Sequence, residues 1–301
     1  MKTQFKFVFF LLLIPGLMLA TDGKFKGKYT KEKTLNKEYT VNPDAGLRID
    51  NSFGNLDIVS WDQNKTVIEV TIRTNGNNED KVQKRLDEID VEFSGNGLLV
   101  TAITKFKKRN GSWSLWGNNN NNNGISMEVN YVIKVPATNS VDLSNDYGTI
   151  NLNRLEGNAN ISCDYGQLNI GELLSENNLL SFDYTNNSNI EYMKSGKINA
   201  DYSEFTLGRT DYLDLNADYT KSTVNQVGEL NYSCDYGRLT VDNVNNITGS
   251  GDYIPAKFGS VSGGLNINTD YGSITVDRFT ATAKDVTIKS SYAGIKLGFE
   301  S

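Results

Sequence analysis

From residue 141 onward, apolar and polar positions alternate in short runs that restart at a fixed interval. Val141, Leu143 and Asn145 are answered by Ala159, Ile161 and Cys163, then by Leu213, Leu215 and Ala217, by Leu230, Tyr232 and Cys234, and by Val286, Ile288 and Ser290. Period-two alternation marks a strand with one buried face. A second run follows each first: Ile150, Leu152 and Leu155; Leu168, Ile170 and Leu173; Leu239, Val241 and Val244; Ile274, Val276 and Phe279. Each unit therefore holds two short strands.

Between the two runs stands an Asp-Tyr dipeptide. It occurs as Asp146-Tyr147, Asp164-Tyr165, Asp183-Tyr184, Asp201-Tyr202, Asp218-Tyr219, Asp235-Tyr236, Asp252-Tyr253 and Asp270-Tyr271, with successive tyrosines 18, 19, 18, 17, 17, 17 and 18 residues apart. Ser291-Tyr292 repeats the site once more. A two-stranded unit of this size cannot bury its own apolar face, but stacked copies can. The expected fold is all-β: a single-stranded parallel β-helix, a solenoid with rungs of about 18 residues, with aliphatic ladders inside and a tyrosine ladder at the corner. Gly148, Gly166, Gly237 and Gly272 follow the tyrosine, where the inward parity shifts by one. A corner that tolerates positive φ is therefore expected at those glycines.

Leu47, Ile49, Asn51, Phe53, Leu56, Ile58 and Trp61 occupy the same register and predict one early rung. Residues 40–140 read as N-terminal irregular rungs, with strand-like stretches near 66–73, 89–94, 98–103 and 125–135. They also predict a short helix over 78–88, from Val82, Leu86 and Ile89, and an Asn-rich loop over 105–124. Residues 141–301 form the regular Asp-Tyr array. Residues 1–20 read as a signal peptide, with Lys2 and Lys6 before an apolar run over 7–19 and the small Ala20 after it. An uncleaved anchor is the competing reading, and no later segment is apolar enough to span a membrane. Residues 21–39, carrying Lys24, Lys26, Lys28, Lys31, Lys33 and Lys37, are expected to form a solvated basic tether, or a contact to anionic lipid or polysaccharide.

Composition removes several kinds of chemistry. The 301 residues include no histidine, so no Ser-His-Asp or Cys-His nucleophile and no His-ligated zinc exists. A net charge of −6 is unsuited to nucleic acid. No cofactor is expected. The charge is uneven: residues 21–135 hold 17 Lys and Arg against 15 Asp and Glu, whereas residues 136–301 hold 11 against 21. Eight stacked carboxylates would repel by about 1 kcal/mol per neighbouring pair in water. A capping bond from each Asp to a backbone N–H is the favoured compensation, and a row of calcium ions the alternative. Cys163 and Cys234 share a register position four rungs apart, on the order of 19 Å. They are expected to be buried free thiols.

The run Arg48-Ile49-Asp50-Asn51-Ser52-Phe53-Gly54-Asn55-Leu56-Asp57-Ile58, then Trp61, followed by Asp-Tyr-Gly rungs, resembles the putative-adhesin domain family of unknown function found in Gram-negative bacterial envelopes. The resemblance covers about residues 40–298. It implies a right-handed parallel β-helix, export to the periplasm or cell surface, and no catalytic residues to carry over. Asn186, Asn187, Ser188 and Asn189 depart from the repeat, predicting a bulge or a ligand-facing dent there.

Two classes of function follow. The first is a non-catalytic, exported, adhesin-like scaffold that binds polysaccharide or an envelope protein. Arg109, Trp113 and Trp116, beside the Asn-rich tract, are its candidate contact residues. The second is a carbohydrate-active β-helical lyase or hydrolase, for which Asp201, Glu204, Asp211 and Asp214 are the densest acidic group. Because Asp recurs at nearly every rung, it behaves as a residue serving the fold, which favours the non-enzyme reading. An envelope-stress regulatory role is a third possibility. Unpaired strand edges at the rod's end predict end-to-end self-association.

Overall fold

The computed structural model describes residues 25–107 and 124–300. The repeat folds as expected. Strand β8 (Ser140–Asp146, counted in chain order from the N-terminal strands described below) and β9 (Thr149–Leu155) make the first regular rung. The next pair, Ala159–Asp164 and Gln167–Leu173, lies parallel on it with Leu143 opposite Ile161 and Ile150 opposite Leu168. The same register runs through Ile198, Leu215 and Tyr232, and on to Ile267 and Ile288. The chain is a β-solenoid of about nine stacked turns. Its interior is a continuous column of buried Leu, Ile, Val and Phe from both strand sets.

The early rung is present. β2 (Gly46–Ser52) pairs in parallel with β8, placing Leu47, Ile49 and Asn51 on Val141, Leu143 and Asn145. β3 (Leu56–Trp61) pairs with β9 through Leu56 on Ile150 and Ile58 on Leu152.

The remainder of residues 40–140 departs from the expected irregular rungs. β4 (Lys65–Gly76) pairs antiparallel with β7 (Ser126–Pro136). β5 (Ile89–Gly95) pairs antiparallel with β6 (Leu99–Phe106). Only β6 and β7 run parallel to the stack, on β2 and β3 respectively. They therefore form one further rung that lies below the early rung in space although it follows it in sequence. The antiparallel strands close the edge that this rung would otherwise expose.

The basic segment is also corrected. From Tyr29 it is strand β1 (Tyr29–Thr40), antiparallel to β4 over its whole length. Lys31, Glu32 and Glu38 are held by cross-element ion pairs: Lys31 to Glu79 at 2.6 Å, Lys65 to Glu38 at 2.6 Å, and Arg73 to Glu32 at 2.7 Å. Helix α1 (Glu79–Asp87) matches the expected helix, with the Asn78 side chain accepting the Lys81 N–H as its N-cap and Val82 and Leu86 buried. The signal segment and the Arg109, Trp113 and Trp116 cluster lie outside the described residues. Among the described residues, no helix is long and apolar enough to cross a membrane.

Candidate functional site: the tyrosine-edged face

The corner is built differently from expectation. The positive φ belongs to the tyrosines themselves, from 51° at Tyr202 to 59° at Tyr147 and Tyr292, with Phe53 at 67° heading the series. None of the following glycines has that conformation. Those glycines are needed for proximity instead. A Cβ on Gly148 would sit 1.7 Å from the carbonyl oxygen of Gly54, and one on Gly166 2.0 Å from that of Gly148.

A left-handed backbone costs a residue bearing a Cβ roughly 1–2 kcal/mol. The rings recover it by stacking. From Phe53 through Tyr147 to Tyr292, ten rings form one unbroken column with centroid spacings of 4.8–5.3 Å and interplanar angles of 10° or less. Each stacked pair contributes about 0.5–1.5 kcal/mol. The two effects are of equal size, so the ladder is close to energetically neutral. Glycine or asparagine would turn the same corner without a ring. The tyrosines from 147 to 271 nevertheless stay 45–53% exposed, their faces covered by one another and their edges open.

Beside this ridge runs the aspartate column. Each carboxylate from Asp164 to Asp270 accepts the backbone N–H of the equivalent residue one rung on: Asp183, Asp201, Asp218, Asp235, Asp252, Asp270 and finally Ser291, at 2.7–3.3 Å. The capping role holds, but the bond runs between rungs rather than within a turn. The tyrosine N–H in turn donates to the carbonyl of the next rung's aspartate, as Tyr202 does to Asp218 at 3.0 Å. One oxygen of each carboxylate is thereby engaged. Among the described residues, no lysine or arginine forms an ion pair with any member of the column from Asp146 to Asp270. Asp146 has its pKa raised, first by burial and then by Asp164 and Asp50.

One step further along the outward face is a column of small polar groups, running from Ser144 through Ser162, Ser181, Asn199, Asn216, Ser233 and Ser250 to Asn268. Asn199 donates to the Ser181 hydroxyl at 3.3 Å, and Asn216 to the Asn199 carbonyl at 3.2 Å. Toward the C-terminal half the face dips into a shallow hollow lined by Asp214, Asn216, Asn231, Ser233, Thr248 and Ser250. The site is thus a flat polar strip, bounded on one side by an aromatic ridge and repeated at every rung.

The other sequence candidates are placed as follows. Glu204 and Asp214 are paired with Lys221 at 2.5 Å and Lys197 at 3.3 Å, and Asp201 caps Asp218, so three members of that acidic group are committed to the fold. Cys163 and Cys234 are buried free thiols in one column, the thiol of each pushed up to about 12 by burial. At the third rung the corner holds one extra residue: Asn187 adopts φ 56° and the buried Ser188 accepts the Leu168 N–H, while the strand register on both neighbouring rungs runs through without a bulge. The segment holding Arg109, Trp113 and Trp116 follows β6 and precedes β7 in sequence and lies outside the described residues. At the end of β6, Phe106 meets Phe53, the head of the aromatic column, edge-on at 5.9 Å. Sequence reasoning found the tyrosine and aspartate columns but passed over the Ser/Asn column, although its spacing two residues before each Asp was available.

No family model and no curated protein matches the chain. Solved structures similar to it include a putative adhesin from Parabacteroides merdae, at 13% identity, TM-score 0.40, and 88% of this chain against 96% of that one. Another is a putative adhesin from Parabacteroides distasonis, at 13% identity, TM-score 0.39, covering 88% and 97%. A putative lipid binding protein from the same species gives 14%, 0.33, and 88% and 96%.

Proposed function

We propose that this protein is a non-catalytic, exported, adhesin-like scaffold of the cell envelope, and that its tyrosine-edged face docks an extended partner, with polysaccharide favoured over protein. The observation that carries this reading is the unbroken, half-exposed tyrosine column beside carboxylates that form no ion pair with any lysine or arginine among the described residues. Exposed aromatic edges next to hydroxyl and amide groups suit ligands that are themselves both apolar and rich in hydroxyls. Repetition of the same groups at every rung suits a repeating polymer, whereas a catalytic pair would break the repeat at one place. Arg109, Trp113 and Trp116, beside the Asn-rich tract, are proposed as a second contact.

The test is a glycan array and an envelope pull-down with the protein lacking residues 1–20, repeated with Tyr202, Tyr219 and Tyr236 all changed to glycine, which keeps the corner geometry. Binding that falls away in this variant supports the reading. Binding that survives it moves the site elsewhere, and a parallel Trp113→Ala/Trp116→Ala variant reports on the second contact.

A further inference from the structure

Resting on that reading, we infer that the face takes a linear β-1,4-linked polymer of amino sugars with free amino groups, lying along the rod axis with one sugar to each rung. Two observations lead there. The first is periodicity. The rings repeat at 4.8–5.3 Å, close to the advance per residue of an extended β-1,4-linked pyranose chain. Such a chain stays in step with the columns over many rungs instead of drifting out of register. Every second sugar then meets the same set of groups in the same orientation: a tyrosine edge, a carboxylate oxygen, and a Ser or Asn side chain.

The second observation is charge complementarity. The column from Asp164 to Asp270 uses one oxygen of each carboxylate to cap the next rung, and no lysine or arginine among the described residues pairs with it. Neighbouring carboxylates one rung apart repel. A polymer carrying ammonium groups relieves that repulsion, while a polyuronate or sulfated glycan adds to it. A two-fold ribbon turns each residue over relative to the last, so every second amino group faces the aspartates and the ring faces run beside the tyrosine ridge. Calcium would neutralise the same charge without using the ridge or the Ser/Asn column.

Length is the discriminating variable. A pocket that recognises a chain end or a few sugars saturates with short oligomers; a track in register with the polymer does not. Titration calorimetry with fully deacetylated β-1,4-glucosamine dimer, tetramer and octamer is the experiment, run at a pH where the amines are charged. The octamer is expected to bind several-fold more tightly than the tetramer, about two- to thirtyfold, since its four extra sugars add two exposed ion pairs. The acetylated octamer is expected to bind more weakly, and a polyuronate octamer to give no heat.

A variant with Asp218→Asn, Asp235→Asn and Asp252→Asn keeps an amide oxygen to cap each next rung, so its fold is checked by circular dichroism and its glucosamine affinity is expected to drop by about tenfold or more. Equal affinity for tetramer and octamer, tighter binding of the acetylated or anionic octamer, or an unchanged affinity in the triple Asn variant would overturn the inference. If the array shows tyrosine-dependent binding to another glycan class, only this inference falls. If the array shows no dependence on the tyrosines, the docking reading falls with it.

Discussion

The Asp218 carboxylate accepts the backbone N–H of Asp235, 2.9 Å away and one rung further along, while the Asp218 N–H donates to Asp201 at 3.1 Å. Each aspartate from Asp183 to Asp270 is therefore both capped and capping, and the chain of bonds runs up the corner beside the tyrosines.

Replacing Asp218 by alanine leaves the Asp235 amide without its acceptor and is expected to cost about 1 kcal/mol, the usual loss of a capping side chain. Asp218→Asn keeps an oxygen in place and removes one like charge, so it is expected to cost less than half as much. Amide hydrogen exchange at Asp235 reads this locally. It should accelerate in the alanine variant and hardly change in the asparagine one.

Tyr219 predicts an inverted ranking. Within a strand, glycine is ordinarily worse than alanine. At this corner φ is 53°. Tyr219→Ala loses both stacked neighbours and keeps the left-handed strain, whereas Tyr219→Gly loses the stacking alone. The glycine variant should be the more stable by about 1 kcal/mol, measured by urea denaturation of the two proteins side by side.

Burial holds both thiols near 12, against 9.0 for the unperturbed group. Folded protein at pH 8 should leave Cys163 and Cys234 unlabelled by a thiol-alkylating reagent, and denatured protein should take up two equivalents. Because the folded value is the higher one, the thiols' contribution to stability is intact below pH 9 and is lost as the pH climbs from there toward 12. Cys163→Ala/Cys234→Ala should show a shallower fall in stability across that window than the parent.

Asp146 carries the opposite lesson to an ordinary surface carboxylate. Its pKa is raised on folding, by burial and by Asp164 and Asp50, so its favourable contribution exists below the unfolded carboxylate range and disappears as the pH rises through the folded value. At neutral pH it is a liability. Asp146→Asn should raise the melting temperature at pH 7 and leave it little changed at pH 3, as followed by calorimetry.

What the chain disclosed in its sequence was whatever repeats. Leu143, Ile161, Leu215 and Ile288 announce their column because each rung presents the same parity, and Phe53 announces the early rung for the same reason. β1 gave no such signal. Its alternating Lys and Glu residues resemble a solvated segment, and its partners lie up to 48 residues away on β4 and α1. Glycine is the usual owner of positive φ, so the sequence points to the wrong residue at the corner. Only the stacking of Tyr147 on Tyr165 at 5.1 Å reveals why a tyrosine bears it. The Gly148 contact with Gly54 joins residues 94 positions apart, and no local pattern reports it.

Equivalent positions in consecutive rungs are interchangeable at their joints, and this makes overall length a free parameter. Excising residues 220–236 would splice Tyr219 onto Gly237, just as Tyr236 precedes it now, removing one whole period and requiring repacking only where rungs differ, as where Leu215 would come to face Gly249 in place of Tyr232. Insertions and deletions in whole periods would thus shorten or extend the aromatic ridge in steps of one ring. The reach of the surface could then be tuned by recombination instead of by point substitution.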